Sequence, residues 1–187
     1  MSNTYATSNE ILDLRRQLHD QIFYKWLHVD LFSFNWWLSL VLTLLFWMVW
    51  FQQVDRRRLL EISFYGAMIT IISIILDIIG VNLVLWSYGS LFEPLTPALI
   101  PGDLVMMPVM YSLLYQRYGK NWRAFLSASI VLSACVAFLV EPLLVWMGIY
   151  KLINWRFVYS FPIYILVSMF TRSFVHKVLC HQHSPPD

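Results

Sequence analysis

Residues 76–106, LDIIGVNLVLWSYGSLFEPLTPALIPGDLVM, decide how the chain is organised, because they join two long apolar runs through a segment of acids and turn residues. The stretch holds three acids, three prolines and three glycines, and it contains no Lys or Arg. Asp77 lies late in the first run and Asp103 lies early in the second. A turn between the two runs therefore predicts that both carboxyl groups lie on the same side of a membrane.

The composition of the whole chain is typical of a membrane protein. Of its 187 residues 59% are hydrophobic and 13% are charged, whereas soluble domains have roughly 45–50% and about 25%. Aromatic residues make up 17% of the chain, including 9 Trp, and such rings favour membrane–water interfaces. The formal net charge of +2 gives no sign of a nucleic-acid partner. We therefore predict a single membrane-embedded unit.

Five apolar runs are each close to the ~20 residues that an α-helix needs to cross the hydrocarbon core of a bilayer. They are Phe32–Phe51, Leu59–Val81, Pro97–Gln116, Trp122–Trp146 and Trp155–Val175. The predicted fold is therefore all-α, a polytopic membrane bundle of five transmembrane helices within residues 31–178, followed by a polar tail at residues 179–187. In the fourth run Ser129, Ser133 and Ala137 form a stripe of small side chains, which lets helices approach closely and predicts a central position.

Residues 1–30 predict an amphipathic helix before the bundle. Thr7 and Glu10 have the spacing of a capping box, in which each side chain accepts from the other residue's free amide. Apolar residues then recur at helical spacing: Ile11, Leu14, Leu18, Ile22, Trp26 and Val29. Such a helix either lies along the bilayer surface or packs on its own bundle or on a second subunit of a homo-oligomer, and the sequence supports both equally.

The basic residues set the predicted orientation. They concentrate in the first and third connections and in the tail: Arg56, Arg57, Arg58, Arg117, Lys120, Arg123, Arg172 and Lys177. By the positive-inside rule these parts face the cytoplasm, which leaves the N-terminus outside. We therefore expect a multi-pass protein of the cell membrane with a cytoplasmic C-terminus.

Glu141 adds a third acid at the same predicted depth. At a rise of about 1.5 Å per residue, all three acids fall about 6–10 Å from the middle of their runs, on the side of the outer leaflet. Ionisable groups at such depth are costly and usually face a bundle interior, a partner or a cavity. The candidate catalytic residues are Asp77, Asp103 and Glu141. The candidate binding residues around them are Trp86, Tyr88, Tyr111, Tyr150, Trp155 and Arg156.

The positions of the three acids predict different roles. Asp103 falls in the first turns of its helix, where free amide donors favour a carboxylate, whereas Asp77 and Glu141 fall near helix C-termini. In an enzyme, Glu141 or Asp77 would then be the general acid and Asp103 the accepting base. A structural role has equal support, because Lys151 and Arg156 emerge on the same side and would pair with Glu141 and Asp77 as interhelical ties.

No further motif indicates a recognisable chemistry. The sequence has no phosphate-binding glycine loop, no HExxH, no GxSxG and no Asp-rich diphosphate motif. Side chains of the metal-ligand type occur close together near the C-terminus: His176, Cys180, His181 and His183. A polar tail is the better interpretation of that segment, so we expect neither a metal nor a cofactor.

Several short motifs of the chain occur together in a known family. They are Asp77 with Gly80, Leu85–Tyr88, Leu99–Asp103, Pro108 with Tyr111, and Glu141 with Gly148, Tyr150 and Trp155. Across residues 55–170 the chain resembles a family of small, functionally uncharacterised membrane proteins of spore-forming bacilli and clostridia. The resemblance implies a bacterial cytoplasmic membrane and no known activity.

The arrangement of buried carboxyl groups in a small bundle is also similar to that of membrane-embedded terpenoid and lycopene cyclases, which protonate a lipid-like substrate. Three functions follow from these patterns. The first is a non-enzymatic protein whose acids line a pocket for a lipid or small molecule or tie the bundle. The second is an acid-catalysed enzyme acting on an amphiphilic isoprenoid. The third, a proton-coupled transporter, has less support because the chain shows no internal repeat.

Overall fold

The structure, a computed structural model, describes residues 7–96 and 98–182 and is an all-α bundle with one small sheet. The helices are α1 Ser8–Lys25, α2 Phe34–Gln53, α3 Leu59–Asn82, α4 Met107–Tyr118, α5 Trp122–Cys135, α6 Glu141–Trp146 and α7 Phe157–Gln182. The strands are β1 Trp86–Tyr88 and β2 Tyr150–Leu152, and π-helical turns lie at Trp26–Asp30, Gly102–Met106 and Val136–Val140. The last of these turns joins α5 to α6, so residues 122–146 form one continuous helix.

Among residues 7–96 and 98–182, four helices are long and apolar enough to cross a membrane: Phe34–Gln53, Arg56–Asn82, Trp122–Trp146 and Phe157–Leu179. They coincide with four of the five predicted runs, and the predicted all-α bundle is confirmed. The remaining run was predicted to begin at Pro97, which lies outside the described residues, and the chain is helical from residue 100 to residue 118. This helix packs mainly against α3 and also against α5, which places it inside the bundle.

The core of the bundle lies where α3, α4, α5 and α7 meet. The rings of Tyr65 and Tyr115 stack with 4.3 Å between their centroids, and Phe125 meets both rings edge-on. The Tyr65 hydroxyl donates to the backbone carbonyl of Ser168 at 3.2 Å. Large rings thus fill the core while the polar tip of Tyr65 remains satisfied.

The small-residue stripe lies in the interior, as the sequence predicts. Ser129, Ser133 and Ala137 are fully buried. The hydroxyl of Ser129 lies 2.9 Å from that of Ser168 on α7, and the hydroxyl of Ser133 lies 2.8 Å from that of Tyr111 on α4. The helix of residues 122–146 therefore holds the predicted central position between two neighbours.

The N-terminal helix begins with the predicted capping box. The Thr7 side chain accepts from the Glu10 amide at 3.3 Å, and the Glu10 carboxylate accepts from the Thr7 amide at 2.6 Å. The bond from the Thr7 amide, together with one from its hydroxyl, holds the pKa of Glu10 below its usual value. This contribution to the cap is therefore present near neutral pH and is lost as the pH falls through that lowered pKa.

Within Ser8–Lys25 no residue is buried, and the main contacts of α1 are with the turn that follows it. Its apolar side chains Ile11, Leu14 and Leu18 are exposed. Of the alternatives that the sequence leaves open, the structure shows no burial of α1 against its own bundle. Its apolar face is therefore open to a bilayer or to a second subunit.

Candidate functional site

A two-stranded antiparallel sheet lies at the end of the bundle that carries the predicted acids. Tyr88 pairs with Tyr150, and Trp86 pairs with Leu152. Strand β1 contacts α3 and strand β2 contacts α6, so the sheet joins the ends of these two helices. Alternate residues of a strand share a face, which places the side chains of Trp86, Tyr88 and Tyr150 on one side of the sheet.

The carboxyl group of Asp77 accepts three hydrogen bonds from the chain that follows α3. Trp86 Nε1 and the Tyr88 hydroxyl each donate to Oδ1 at 2.6 Å, and the Leu99 amide donates to Oδ2 at 2.8 Å. Asp77 is buried. Three donors on one buried carboxyl group stabilise a carboxylate. They tie β1, and the segment that precedes the helix of residues 100–118, to α3.

Trp86 reaches Asp77 because it lies directly against α3 at Gly80. A Cβ atom at Gly80 would lie 2.0 Å from the Trp86 ring, so a larger residue leaves no room for the indole. Asp77 and Gly80 are three residues apart and therefore share one face of the helix. Gly80 leaves room for the Trp86 indole to pack on the helix, and Asp77 accepts the hydrogen bond from the indole N–H group.

Gly80→Ala is expected to displace the Trp86 ring and to remove its hydrogen bond to Asp77. The ring and backbone cannot relax without moving β1, so we expect a loss of about 1–3 kcal/mol of stability, in the range of overpacked sites. The melting temperature in detergent measures the effect. Gly66→Ala is the matched control, since a Cβ there meets its nearest neighbour at an ordinary 3.6 Å. Equal melting temperatures for the two variants would contradict the packing of Trp86 on α3.

Glu141 lies at the start of α6 and is held by α7. Ser160 Oγ donates to Oε2 at 3.0 Å and the Tyr164 hydroxyl donates to Oε1 at 2.5 Å. Trp155 Nε1 donates to Ser160 Oγ at 3.0 Å, so this ring supports the acid through the serine. Glu141 is buried. Both of its oxygens are therefore occupied by donors of the protein itself.

Asp103 has a different environment from the other two acids. It lies in the π-helical turn Gly102–Met106, and its amide donates to the Leu99 carbonyl. Leu99 also bonds Asp77, since its amide donates to Asp77 Oδ2 at 2.8 Å, so the two aspartates are neighbours and their carboxyl groups interact. The Oδ2 atom of Asp103 is buried and has no hydrogen-bond partner among residues 7–96 and 98–182. The sequence predicts that backbone amides donate to Asp103, but the nearby Leu99 amide donates to Asp77 instead.

Tyr150 lies between the three acids. Its ring stacks on Tyr88 at 5.7 Å between centroids and meets Trp86 edge-on at 6.3 Å. It is close enough to interact electrostatically with all three acids: Glu141, Asp77 and Asp103. The structure therefore brings the candidate acids together at one end of the bundle, with Trp86, Tyr88, Tyr150 and Trp155 around them.

Tyr111 and Arg156 lie apart from this cluster. The Tyr111 hydroxyl bonds Ser133 in the core, and Arg156 is exposed, as is Lys151. Of the ion pairs between described residues, none joins either basic residue to an acid of the cluster. The hydrogen bonds to the buried acids therefore come from neutral Trp, Tyr, Ser and backbone donors rather than from the basic residues that the sequence suggests.

Asp30 is a further buried acid, which the pattern of apolar runs does not single out. Lys25 Nζ lies 2.7 Å from its Oδ2 atom and also donates to the Gly89 carbonyl at 2.7 Å. The Leu91 amide donates to the same Oδ2 atom at 3.2 Å. This ion pair anchors the segment after β1 to the end of the N-terminal helix. The signal in the sequence is weak, because Lys25 and Asp30 are separated from Gly89 by about sixty residues.

Two tryptophans hold the next residue of the same segment. Trp26 Nε1 and Trp36 Nε1 donate to the Phe92 carbonyl at 3.1 and 3.0 Å, and the Trp36 ring stacks on Phe92 at 5.5 Å. We call β1, β2 and residues 89–96 the aromatic layer. It is attached to α3 by Asp77 and to the N-terminal region by Asp30.

The two strands of the aromatic layer are also not predictable from the long apolar runs of the sequence. Each is three residues long and continues from a helical run. A weak signal is present, since Trp86-Ser87-Tyr88 precedes Gly89 and Tyr150 follows Gly148. Gly148 adopts φ +72°, a left-handed conformation that glycine allows, and it turns the chain from α6 into β2.

The His and Cys side chains near the C-terminus, for which the sequence favours a polar tail over a metal site, are only partly within the described residues. His183 and the side chains of Cys180 and His181 lie outside the described residues. Within the described part of the chain, no group of three His, Cys, Asp or Glu side chains is placed to hold a metal ion.

Comparison of the chain with family models, with curated proteins and with solved structures gives no match. The function is therefore inferred from the residues of this chain and their geometry.

Proposed function

We propose that the chain is a non-enzymatic, multi-pass protein of a bacterial cytoplasmic membrane, whose buried acids tie the aromatic layer to the outer end of the helix bundle. The observation that carries the proposal is that the carboxyl oxygens of these acids already accept hydrogen bonds from the protein. Both oxygens of Asp77 and both oxygens of Glu141 accept hydrogen bonds from the protein. The donors lie on β1, on the segment before the helix of residues 100–118, and on α7, so each acid adds hydrogen bonds between elements that are distinct in the chain.

This occupancy argues against catalysis by Asp77 or Glu141. A general acid or base must come within hydrogen-bonding distance of the proton that it transfers. Here those positions are filled by indole, hydroxyl and amide donors, and each would have to be displaced before a substrate could bind. A fixed aromatic face instead provides a platform for an amphiphilic ligand or a partner, since Trp and Tyr combine apolar area with a polar tip.

Lipid analysis combined with stability measurements tests this function. We expect Asp77→Asn and Glu141→Gln to lower the melting temperature, while the lipids that co-purify with wild type and with Asp103→Asn are the same by mass spectrometry. A converted lipid that is present with wild type and missing with Asp103→Asn would overturn the proposal in favour of an enzyme.

An acid-catalysed enzyme acting on an amphiphilic isoprenoid is the second candidate. One observation favours it: the buried Oδ2 atom of Asp103 has no partner among the described residues and is the acid oxygen that a ligand would find free. Proton-coupled transport has less support. At the opposite end of α3, Glu61 accepts from Arg58 at 2.8 and 2.9 Å and from Tyr115 at 2.7 Å, which is the environment of a fixed ion pair.

The proposed orientation places the aromatic layer outside the cell. The chain between α3 and the next helix, residues 83–99, contains no Lys or Arg, and β2 contributes Lys151, whereas the opposite end carries Arg56, Arg57 and Arg58. In a background without Cys135 and Cys180, Leu95→Cys is expected to react with a membrane-impermeant maleimide in intact cells. Lys120→Cys is expected to react only after the membrane is opened, because both side chains are exposed but at opposite ends. The reverse labelling would show the opposite orientation.

We also propose that α1 lies on the outer surface of the bilayer. At 100° per residue, Leu14, Leu18 and Ile22 share one face with Ile11, and the acids Asp13 and Asp20 lie opposite. A nitroxide at Leu18→Cys is expected to be accessible to oxygen, and one at Asp20→Cys to an aqueous nickel complex. A label at Leu18→Cys that neither reagent reaches would indicate packing on a second subunit instead.

A further inference from the structure

The two aspartates of the cluster lie side by side but differ in their hydrogen bonding. Asp77 uses both oxygens as acceptors for the donors of Trp86, Tyr88 and the Leu99 amide. An un-ionised carboxyl group has one acceptor oxygen and one O–H group, so three donors spread over both oxygens match the carboxylate form. Asp77 is therefore the hydrogen-bond acceptor of the pair.

Asp103 differs from Asp77 because one of its carboxyl oxygens lacks a hydrogen-bond donor among the described residues. Leu99 links it to Asp77, because the Leu99 amide donates to Asp77 Oδ2 at 2.8 Å and the Leu99 carbonyl accepts from the Asp103 amide at 2.9 Å. The Asp103 carboxyl group interacts with that of Asp77, and its buried Oδ2 atom receives no donor from the part of the chain that the structure describes. Two buried carboxylates in contact repel each other strongly. A single proton removes the repulsion and creates an O–H···O⁻ hydrogen bond, which belongs to the strongest class in proteins.

Among the described residues, no basic side chain forms an ion pair with Asp77 or Asp103. The turn that carries Asp103 packs against α3, α4 and α2, and the sequence of α2 has no titratable side chain. Three tyrosines interact electrostatically with Asp103, from β1, β2 and α7: Tyr88, Tyr150 and Tyr164. Glu141, the remaining acid nearby, adds negative charge, and the ion pairs between described residues do not include Asp77 or Asp103.

A metal ion does not fit the same place. Ions such as Mg²⁺ and Ca²⁺ take six or more oxygen ligands, whereas the described residues contain no group of three acidic or other ligand side chains that is placed around one point. A proton needs only the two carboxyl groups that are already in contact. It is therefore the cation that the geometry accommodates.

We infer that Asp77 and Asp103 form a proton-binding site, in which Asp103 carries one proton and donates it in a hydrogen bond to the Asp77 carboxylate. Release of this proton to an acceptor leaves two adjacent carboxylates, whose repulsion moves the Asp103 side chain away from Asp77. The binding of the proton and the position of the Asp103 side chain are thus linked. This inference holds whether the cluster is structural or catalytic, and it goes beyond the tie between α3 and the aromatic layer.

Infrared spectroscopy of the purified full chain at neutral pH tests the inference directly. A protonated carboxyl group gives a C=O band that shifts in D₂O, and carboxylates do not. We expect wild type to show this band and Asp103→Asn to lose it. Glu141→Gln is the matched control and is expected to retain the band, because both Glu141 oxygens already accept donors. Absence of the band in wild type, its persistence in Asp103→Asn or its loss in Glu141→Gln would each overturn the inference.

A stability comparison provides a second readout. The Asn side chain at residue 103 supplies an N–H donor where the proton stood, so Asp103→Asn is expected to keep the wild-type melting temperature to within about 2 °C, a shift of roughly 1 kcal/mol or less. Asp103→Ala removes the donor and is expected to melt earlier than Asp103→Asn. If Asp103→Asn fails to fold, or melts as early as Asp103→Ala, the aspartate at this position does not act as a donor and the inference is wrong.

Discussion

Asp77→Asn is expected to produce the largest loss of stability among single substitutions in the cluster. The substitution replaces a carboxylate by an amide that has one acceptor oxygen and one NH₂ group. The NH₂ group then faces either the Trp86 and Tyr88 donors or the Leu99 amide, and at least one buried donor loses its acceptor. Hydrogen bonds to charged groups contribute about 1.5–3 kcal/mol each, and unsatisfied buried donors cost a comparable amount.

We therefore expect Asp77→Asn to lower the stability by about 2–4 kcal/mol, which corresponds to a fall of roughly 5–12 °C in melting temperature for a chain of this length. Thermal unfolding in detergent, followed by near-UV circular dichroism, measures both the stability and the fixed environment of the aromatic rings. Asp20→Asn is the control, because Asp20 is an exposed acid on α1. Equal melting temperatures for the two variants would show that Asp77 does not fasten the layer.

A double-mutant cycle separates the contribution of the indole. Trp86→Phe removes one donor to Asp77 and keeps an aromatic ring against Gly80. Because both substitutions break the same bond, their combination is expected to cost less than the sum of the single effects. Strict additivity would indicate that the Trp86–Asp77 bond contributes nothing to stability.

The transmembrane part of the fold is predictable from the sequence because a membrane leaves few alternatives. Backbone groups in the hydrocarbon region must be satisfied internally, so long apolar runs become helices. The position of residues 122–146 was also predictable, since Ser129 and Ser133 make that helix narrow enough to lie between α4 and α7. In both cases the deciding information is local to one run.

The partners of the acids could not be predicted, because they depend on how turns place side chains from different runs. Pairing of Asp77 with Lys151 or Arg156 is one of two alternatives that the sequence supports equally, but the side-chain donors to Asp77 are Trp86 and Tyr88, on a strand that begins only nine residues later. A physical reason favours neutral donors here. They satisfy a buried carboxylate without removing a second charge from water, which often costs more than the ion pair returns.

Lys25→Met is expected to free the segment after β1 from the N-terminal helix. The exposed fractions of the Lys25 and Asp30 side chains are 43% and 4%, so removal of the amine leaves an almost fully buried carboxylate. Among the described residues, the Leu91 amide is then its remaining hydrogen-bond donor. The substitution also removes the bond to the Gly89 carbonyl. Loss of one partner from a fully buried pair costs about 3–5 kcal/mol, and the partial exposure of Lys25 reduces the expected cost to about 1–3 kcal/mol.

Hydrogen exchange locates this effect. The amide of Leu91 is bound to Asp30, so its exchange rate in Lys25→Met is expected to rise by about 5- to 150-fold, the factors that correspond to about 1–3 kcal/mol. Exchange in the core of α3 should remain as in wild type, since Asp77 still holds the other side of the layer. Arg15→Met is the control, because Arg15 is an exposed basic residue of the same helix. Unchanged exchange at Leu91 would mean that the two tryptophan bonds to Phe92 hold the segment without the ion pair.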